Sequence, residues 1–240
     1  QQIFSTPLFF DILKNTLTIS FMKYVLLFPF FVLFAILLSE MRLQKSRKIV
    51  QVISYLPHFL SWVVIAGIWI NFLSYSGAVS EIVRLFGGSA KNFMTDKGSI
   101  RWILFLSEGW RSIGWDSIIY FTAIITISPS LYESAQIDGA SRLNVIRYIV
   151  LPELVAPMST MFILNLGYFM SAGLDQVLNF SNTAVQSTID ILDTYIFRIG
   201  IQNGQYSLAS AVGLFKGIVG IALVLSTHLI SKRVTGEGVW

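Results

Sequence analysis

Cysteine is absent from the sequence. That excludes disulfide bridges and thiolate metal ligands. Histidine is nearly absent: His58 and His228 are the only two, far apart in the chain, which argues against a histidine metal centre. Charge is scarce as well. Asp, Glu, Lys and Arg make up 12% of 240 residues, against about 25% in a soluble domain. The net charge of +4 needs no nucleic-acid partner, because its densest cluster lies between two apolar segments and reads as membrane topology. A phosphate-binding loop of the Gly-x-x-x-x-Gly-Lys-Ser/Thr kind is missing, so the chain holds no nucleotide motor of its own. The His-Glu-x-x-His and Gly-x-Ser-x-Gly patterns of metal and serine hydrolases are missing too. No internal repeat or low-complexity segment stands out. The chain begins with Gln1 and has no charged leader ahead of an apolar core. The expectation is therefore a chain without its natural start, not one with a signal peptide.

Apolar side chains, by contrast, account for 54% of residues, and the mean hydropathy is +0.68. A bilayer core of about 30 Å takes roughly 20 apolar helical residues to cross. Five stretches qualify: Thr16 to Ser39, Ile49 to Leu73, Trp102 to Ser128, Val155 to Leu178 and Leu208 to Ile230. Barrel strands would show segments of about ten residues with alternating polarity, and these stretches do not alternate. The expected fold is thus all-α, a polytopic membrane helix bundle forming a single domain over 1–240. Glu40 to Lys48 packs Arg42, Lys45, Arg47 and Lys48 together, which marks it as cytoplasmic. Alternation puts Ser74 to Arg101 outside, the polar run at Glu133 inside, Asn179 to Ser207 outside, and the tail with Lys232 and Arg233 inside. Arg84, Lys91, Lys97 and Arg101 in the long outer loop make local density, not a raw count, the deciding feature.

Several polar residues fall within the spans. Lys23 can snorkel toward headgroups, and Pro29 should kink its helix. His58 beside Pro57 either caps backbone groups loosened by the proline or touches substrate. The third span carries Glu108, Trp110, Arg111, Trp115, Asp116 and Tyr120. Ionisable groups in a bilayer usually face a bundle interior or an aqueous cavity. Glu108 and Arg111, three apart, can pair on one helix face. Alternatively this span forms a cavity wall, where aromatic rings stack on sugar faces and charged groups bond hydroxyls. In the fourth span Asn165, Tyr168, Ala172, Asp175 and Asn179 recur at helical spacing and predict one polar stripe, either bonding another helix or lining the pathway. Thr188 to Ile201 reads as amphipathic, with Ile189, Leu192, Ile196 and Ile199 opposite Asp190, Asp193 and Arg198. It would lie on the membrane surface or receive a binding protein. Lys216 in the last span has Asp175 as a conceivable partner.

The most informative stretch is the polar run Glu133 to Pro152, ESAQIDGASRLNVIRYIVLP. A helix-prone start meets Asp138-Gly139, where glycine tolerates a positive backbone dihedral and lets two short helices meet at an angle. A second periodic stretch with Leu143, Ile146 and Ile149 or Val150 follows, and Leu151-Pro152 is expected to stop it. This stretch resembles the cytoplasmic signature loop of permease subunits in bacterial binding-protein-dependent ABC importers. Glu133, Ala135, Asp138, Gly139, Ala140, Ile149, Leu151 and Pro152 match that family's pattern. Ser134 replaces the usual Ala, and Ile146 stands where Phe is frequent. Leu56 to Val64, Asn165 to Met170 and Gly236 to Trp240 also look like carbohydrate-importer permeases of the oligosaccharide branch, so the resemblance covers essentially the whole chain.

The resemblance implies a type I ABC importer permease with a coupling loop at 131–153, five spans here and six in the full protein. It implies that the loop docks into a cleft on a separate ATPase. Glu133 would bond a basic group there, Gly139 would allow the bend, and Leu143 and Ile146 would fill the cleft, with Ser134, Ala135, Asp138, Ala140, Leu151 and Pro152 completing it. No cofactor is expected in this chain; ATP and Mg belong to the partner ATPase. The other implied partners are a second, related permease, an extracytoplasmic solute-binding protein, a sugar and membrane lipid. Trp110, Arg111, Trp115, Asp116, Tyr120, Asn165, Tyr168, Asp175 and Asn179 are the candidate substrate pathway, and the cytoplasmic (inner) membrane is the expected location. The rival reading is an ion-coupled secondary transporter or channel using Asp116, Asp175 and Lys216.

Overall fold

A computed structural model describes residues 7–235, with side chains to 229. Every regular element among the described residues is helical. Helix α1 (Pro7–Phe21) passes through a π-helical turn, Met22–Leu26, into α2 (Phe28–Ser39). Pro29 sits in the first turn of α2, where a proline has no helical N–H to lose; the departure from regular geometry is the π turn just before it. Helix α3 (Gln44–Tyr55) leads through a 3₁₀ turn, Leu56–Phe59, to α4 (Trp62–Leu73). Helices α5 (Ala78–Leu85) and α6 (Ile100–Ile125) follow. Then come α7 (Pro129–Ile137), α8 (Arg142–Val145) and α9 (Leu151–Gly167). Two short helices, α10 (Leu174–Phe180) and α11 (Gln186–Ile189), precede α12 (Leu192–Phe197) and the long α13 (Tyr206–Thr235). Lys232 and Arg233 lie outside the described side chains, and Gly236 to Trp240 lie outside the described residues.

Three apolar clusters hold the bundle. One gathers Ile19, Ile103, Leu104, Val177 and Ile189. A second joins Val32, Ala35, Tyr120, Ile124 and Leu154. The third joins Phe9, Ile12, Leu192 and Val212. Helix α6 is the hub, packing against α2, α3 and α9. Its approach to α3 is close enough that a Cβ on Gly114 would stand 2.3 Å from the Ser54 carbonyl oxygen. Because that atom is backbone, it cannot swing aside. Gly114→Val is expected to cost about 1–3 kcal/mol by overpacking, visible as a lower unfolding temperature in detergent; an unchanged temperature would refute the close packing.

Among the described residues, four helical stretches are long and apolar enough to cross a membrane: Pro7–Ser39, Trp62–Leu85, Arg142–Gly167 and Tyr206–Leu229. The spans differ from the sequence expectation in several places, and the first already begins at Pro7 instead of Thr16. The second span does not run unbroken from Ile49, because Leu60 is extended and the Ser61 hydroxyl caps a new helix by accepting from the Val64 N–H. The third, α6, is 26 residues long but is not among the four; Glu108, Arg111 and Asp116 dilute its hydropathy. The fourth ends at Gly167 instead of continuing to Leu178. The stretch Thr188 to Ile201 does not lie on a surface either. Ile189, Leu192 and Ile199 are buried in the bundle core, and Ile196 packs against it.

Candidate functional site

The polar run after α6 is shaped by two local devices. Pro129 opens α7, which carries Glu133, Ser134 and Ala135. Gly139 takes φ +71°. Its N–H donates to Gln136 O at 3.1 Å, and the Ala140 N–H donates to Ala135 O at 2.9 Å. That pair of bonds is the Schellman closure of a helix C-terminus, and it requires a left-handed residue where Gly139 sits. Ser141 then caps α8 by accepting from the Asn144 N–H at 3.3 Å, which satisfies an otherwise orphaned donor. Leu151-Pro152 does not stop the second stretch. A π-helical turn, Ile146–Val150, carries it directly into α9 with Pro152 in the first turn, where the proline's missing donor costs nothing. Glu133, Ser134 and Asp138 are exposed. So are Ile137 and Leu143, at 87% and 77%. Ile146 instead turns inward onto the α2–α6–α9 core, so the exposed apolar pair is Ile137 with Leu143. Arg142 ties this segment to the C-terminal end of α2 through Glu40 at 2.9 Å. Burial and the nearby Glu40 and Glu153 carboxylates push the Tyr132 hydroxyl pKa up, so that phenol keeps its proton.

Inside the bundle, Trp115, Asp116, Tyr120 and Asn165 line one cavity of about 700 Å³ together with Phe31 and Pro157. Tyr120 belongs largely to the core. It is 2% exposed and meets Phe28 edge-on at 5.9 Å. The Trp115 ring stacks on His58 with centroids 4.5 Å apart and planes 6° from parallel. The buried Nδ1 of His58 has no hydrogen-bond partner among the described residues, so His58 does not cap the loosened backbone. Its own carbonyl accepts from Arg111 Nη2 at 3.3 Å. Trp110 lies apart, in a separate apolar hollow with Trp69 and Phe72.

The expected polar stripe is not on one helix. Asn165 belongs to α9, Tyr168 and Ala172 to a break, and Asp175 and Asn179 to α10. Gly173, at φ +97°, completes the turn. A break at membrane depth exposes carbonyls that must find donors inside the protein. Lys23 Nζ donates to Ala172 O at 2.6 Å and the Tyr24 hydroxyl donates to Ser171 O at 2.9 Å. Lys23 is 4% exposed and pairs with Glu108 at 3.1 Å, so it does not snorkel. Glu108 in turn accepts from Ser112 at 3.1 Å, and the expected Glu108–Arg111 pair does not form. Gln176 holds α10 to α6 by donating to Leu104 O at 2.8 Å and Ser107 Oγ at 2.9 Å. Asn179 makes a local bond to the Asp175 carbonyl. Lys216 pairs with Asp193, not Asp175. That pair lines a second cavity of about 640 Å³ with Tyr168 and Ser171.

A family model described as binding-protein-dependent transport system inner membrane component matches residues 31–235. The chain belongs to this family. It is 35% identical, over 100% of its length and 75% of the relative's, to the polygalacturonan/rhamnogalacturonan transport system permease protein YteP of Bacillus subtilis (strain 168). Protein LplB of the same organism is 32% identical over 100% of this chain and 76% of its own. Among solved structures, a bacterial ABC transporter involved in the import of the acidic polysaccharide alginate superposes with a TM-score of 0.94. The identity is 36%, covering 98% of this chain and 82% of that one. The fold is thus that of a type I ABC importer permease, an all-α polytopic bundle, and this member is an integral membrane transport subunit, not a catalytic one. Sequence reasoning left Lys23, Gln176 and Asp193 out of the site. The only early signal was opposite charge at Lys23 and Glu108 within two apolar spans.

Proposed function

We propose that this permease is the translocation subunit of an ATP-driven oligosaccharide importer in the bacterial cytoplasmic membrane. It works with ATPase subunits that bind ATP and Mg, a second related permease and an extracytoplasmic solute-binding protein. The observation that carries the reading is the cytoplasmic segment around Gly139. Backbone bonds close α7 at Gly139 and the Ser141 hydroxyl caps the helix that follows at once, with Ile137 and Leu143 left bare on either side of the turn. Such a compact element transmits motion as a rigid body. Glu133 bonds a basic group on the ATPase, and Leu143 with Ile137 fills its cleft. Closure of the ATPases then rocks the two permeases between outward- and inward-open states. Within the bundle, the cavity of Trp115, Asp116 and Asn165 offers an aromatic edge and polar hydrogen-bonding groups, the combination that suits a sugar ring with one apolar face and a rim of hydroxyls. The names of relatives support an oligosaccharide: YteP, and permeases for galactooligosaccharides and arabinooligosaccharides at 26% identity. A similar solved structure, a bacterial alginate ABC transporter in complex with an alginate pentasaccharide-bound periplasmic protein, supports the binding-protein partner.

The test is purification from native membranes, identification of co-purifying subunits by mass spectrometry, and reconstitution into vesicles. Expected are an ATPase and a second permease, and oligosaccharide uptake that falls to background when ATP is withheld. Uptake that ignores ATP and follows an ion gradient would overturn the reading in favour of an ion-coupled transporter.

A further inference from the structure

Arg111 is an unusual cation for its place. Three other cations buried in or against the spanning helices hold carboxylates, Lys23 with Glu108, Lys216 with Asp193 and Arg198 with Asp190, and Arg101 on the same helix is satisfied by the Thr188 carbonyl and Asn15 Oδ1. Among the described residues Arg111 has no such partner. It donates through Nη2 to the His58 carbonyl at 3.3 Å, its guanidinium carbon sits 5.0 Å from the Trp62 ring centroid, and its buried Nε has no hydrogen-bond partner. A guanidinium carries five N–H donors, so most of the fork is unspent. A charge at membrane depth is costly unless something compensates it. Neither of the nearest acids on the same helix forms an ion pair with it. Glu108 is engaged by Lys23 and Ser112, and Asp116 opens onto the cavity farther along α6 without an ion pair to Arg111.

Arg111 also stands one helical turn from Trp115, about 6 Å along the axis, on the side of α6 assigned to the exterior. His58 links the two, bonding Arg111 through its carbonyl and stacking its ring on Trp115. We propose that Arg111 reads a carboxylate on the passing sugar, so that the pathway takes uronate-bearing, acidic oligosaccharides. A uronate carries its carboxylate beside the ring oxygen. One residue can therefore lay its ring against Trp115 while its carboxylate meets the guanidinium through two parallel N–H···O bonds. Trp62 holds the guanidinium plane in place, and the carboxylate supplies the missing counter-charge during passage. This rests on the importer reading above and adds the sign of the cargo.

The experiment uses the purified assembly with its co-purifying subunits and no solute-binding protein. Trigalacturonate and galactotriose are titrated separately, with tryptophan fluorescence as the signal, because Trp62 and Trp115 flank Arg111. Wild type should bind the acidic trimer about 10- to 100-fold more tightly than the neutral one, the range that charge-assisted hydrogen bonds supply. Arg111→Gln should bring that ratio close to one. Arg111→Lys, which keeps the charge without the fork, should retain part of it and guards against a simple assembly defect in the glutamine variant. A wild-type ratio near one, or a ratio that survives Arg111→Gln, overturns the proposal and leaves the importer reading standing. If the wild-type assembly binds neither trimer and carries no oligosaccharide with ATP, the importer reading falls and this one with it.

Discussion

Replacing Gly139 by proline is expected to abolish ATP-driven uptake while the chain still inserts in the membrane. Gly139 holds φ at +71°, and proline fixes φ near −65°. The substitution also deletes the N–H that donates to Gln136 O. Both effects open the turn between α7 and α8, so the angle between Glu133 and Leu143 is no longer fixed. Nothing lies within 4 Å of a Cβ added at Gly139, so the defect is conformational and confined to the turn. Gly139→Ala is the graded control. It keeps the N–H and meets only the left-handed penalty of roughly 1–2 kcal/mol, so it should slow uptake without ending it. Uptake is measured in reconstituted vesicles beside membrane insertion and subunit recovery. Normal uptake by the proline variant would show that this turn transmits nothing.

Lys23→Met should be the most damaging single change to the stability of the bundle. It leaves Glu108 at membrane depth without its cation and Ala172 O without its donor. Removing one partner of a buried pair typically costs about 3–5 kcal/mol, because the other charge is stranded. The order of variants is the sharper test. Lys23→Met combined with Glu108→Gln removes both charges and leaves only the Ala172 carbonyl unsatisfied, a cost of about 1–3 kcal/mol. The double variant should therefore melt above the single one in detergent. If it melts at or below the single variant, Lys23 and Glu108 do not depend on one another. Uptake should follow the same order, because the segment between α9 and α10 that Lys23 holds carries Tyr168 and leads into α10.

Sequence alone determined what depends on composition and on neighbours along the chain. Apolar length required membrane helices, since a segment in lipid must bond its own backbone. The turn at Gly139 was legible because a Schellman closure is written in about six consecutive residues, and so was the family, through Glu133, Gly139 and Pro152. What ran beyond a few turns was decided by tertiary structure. The polar residues from Asn165 to Asn179 keep helical spacing straight through a point where the helix stops. The break is stable only because Lys23 and Tyr24, about 147–149 residues away, donate to its carbonyls. Glu108 had a local candidate in Arg111 and took Lys23 instead. Lys216 had Asp175 and took Asp193. Thr188 to Ile201 looked like a surface helix, yet its apolar stripe is core and two of its charges meet cations within the fold. The physical reason is common to all four. In a bilayer a polar group must find a partner, and spacing along one helix indicates only which partners lie within reach of that helix, while the choice among helices belongs to their packing.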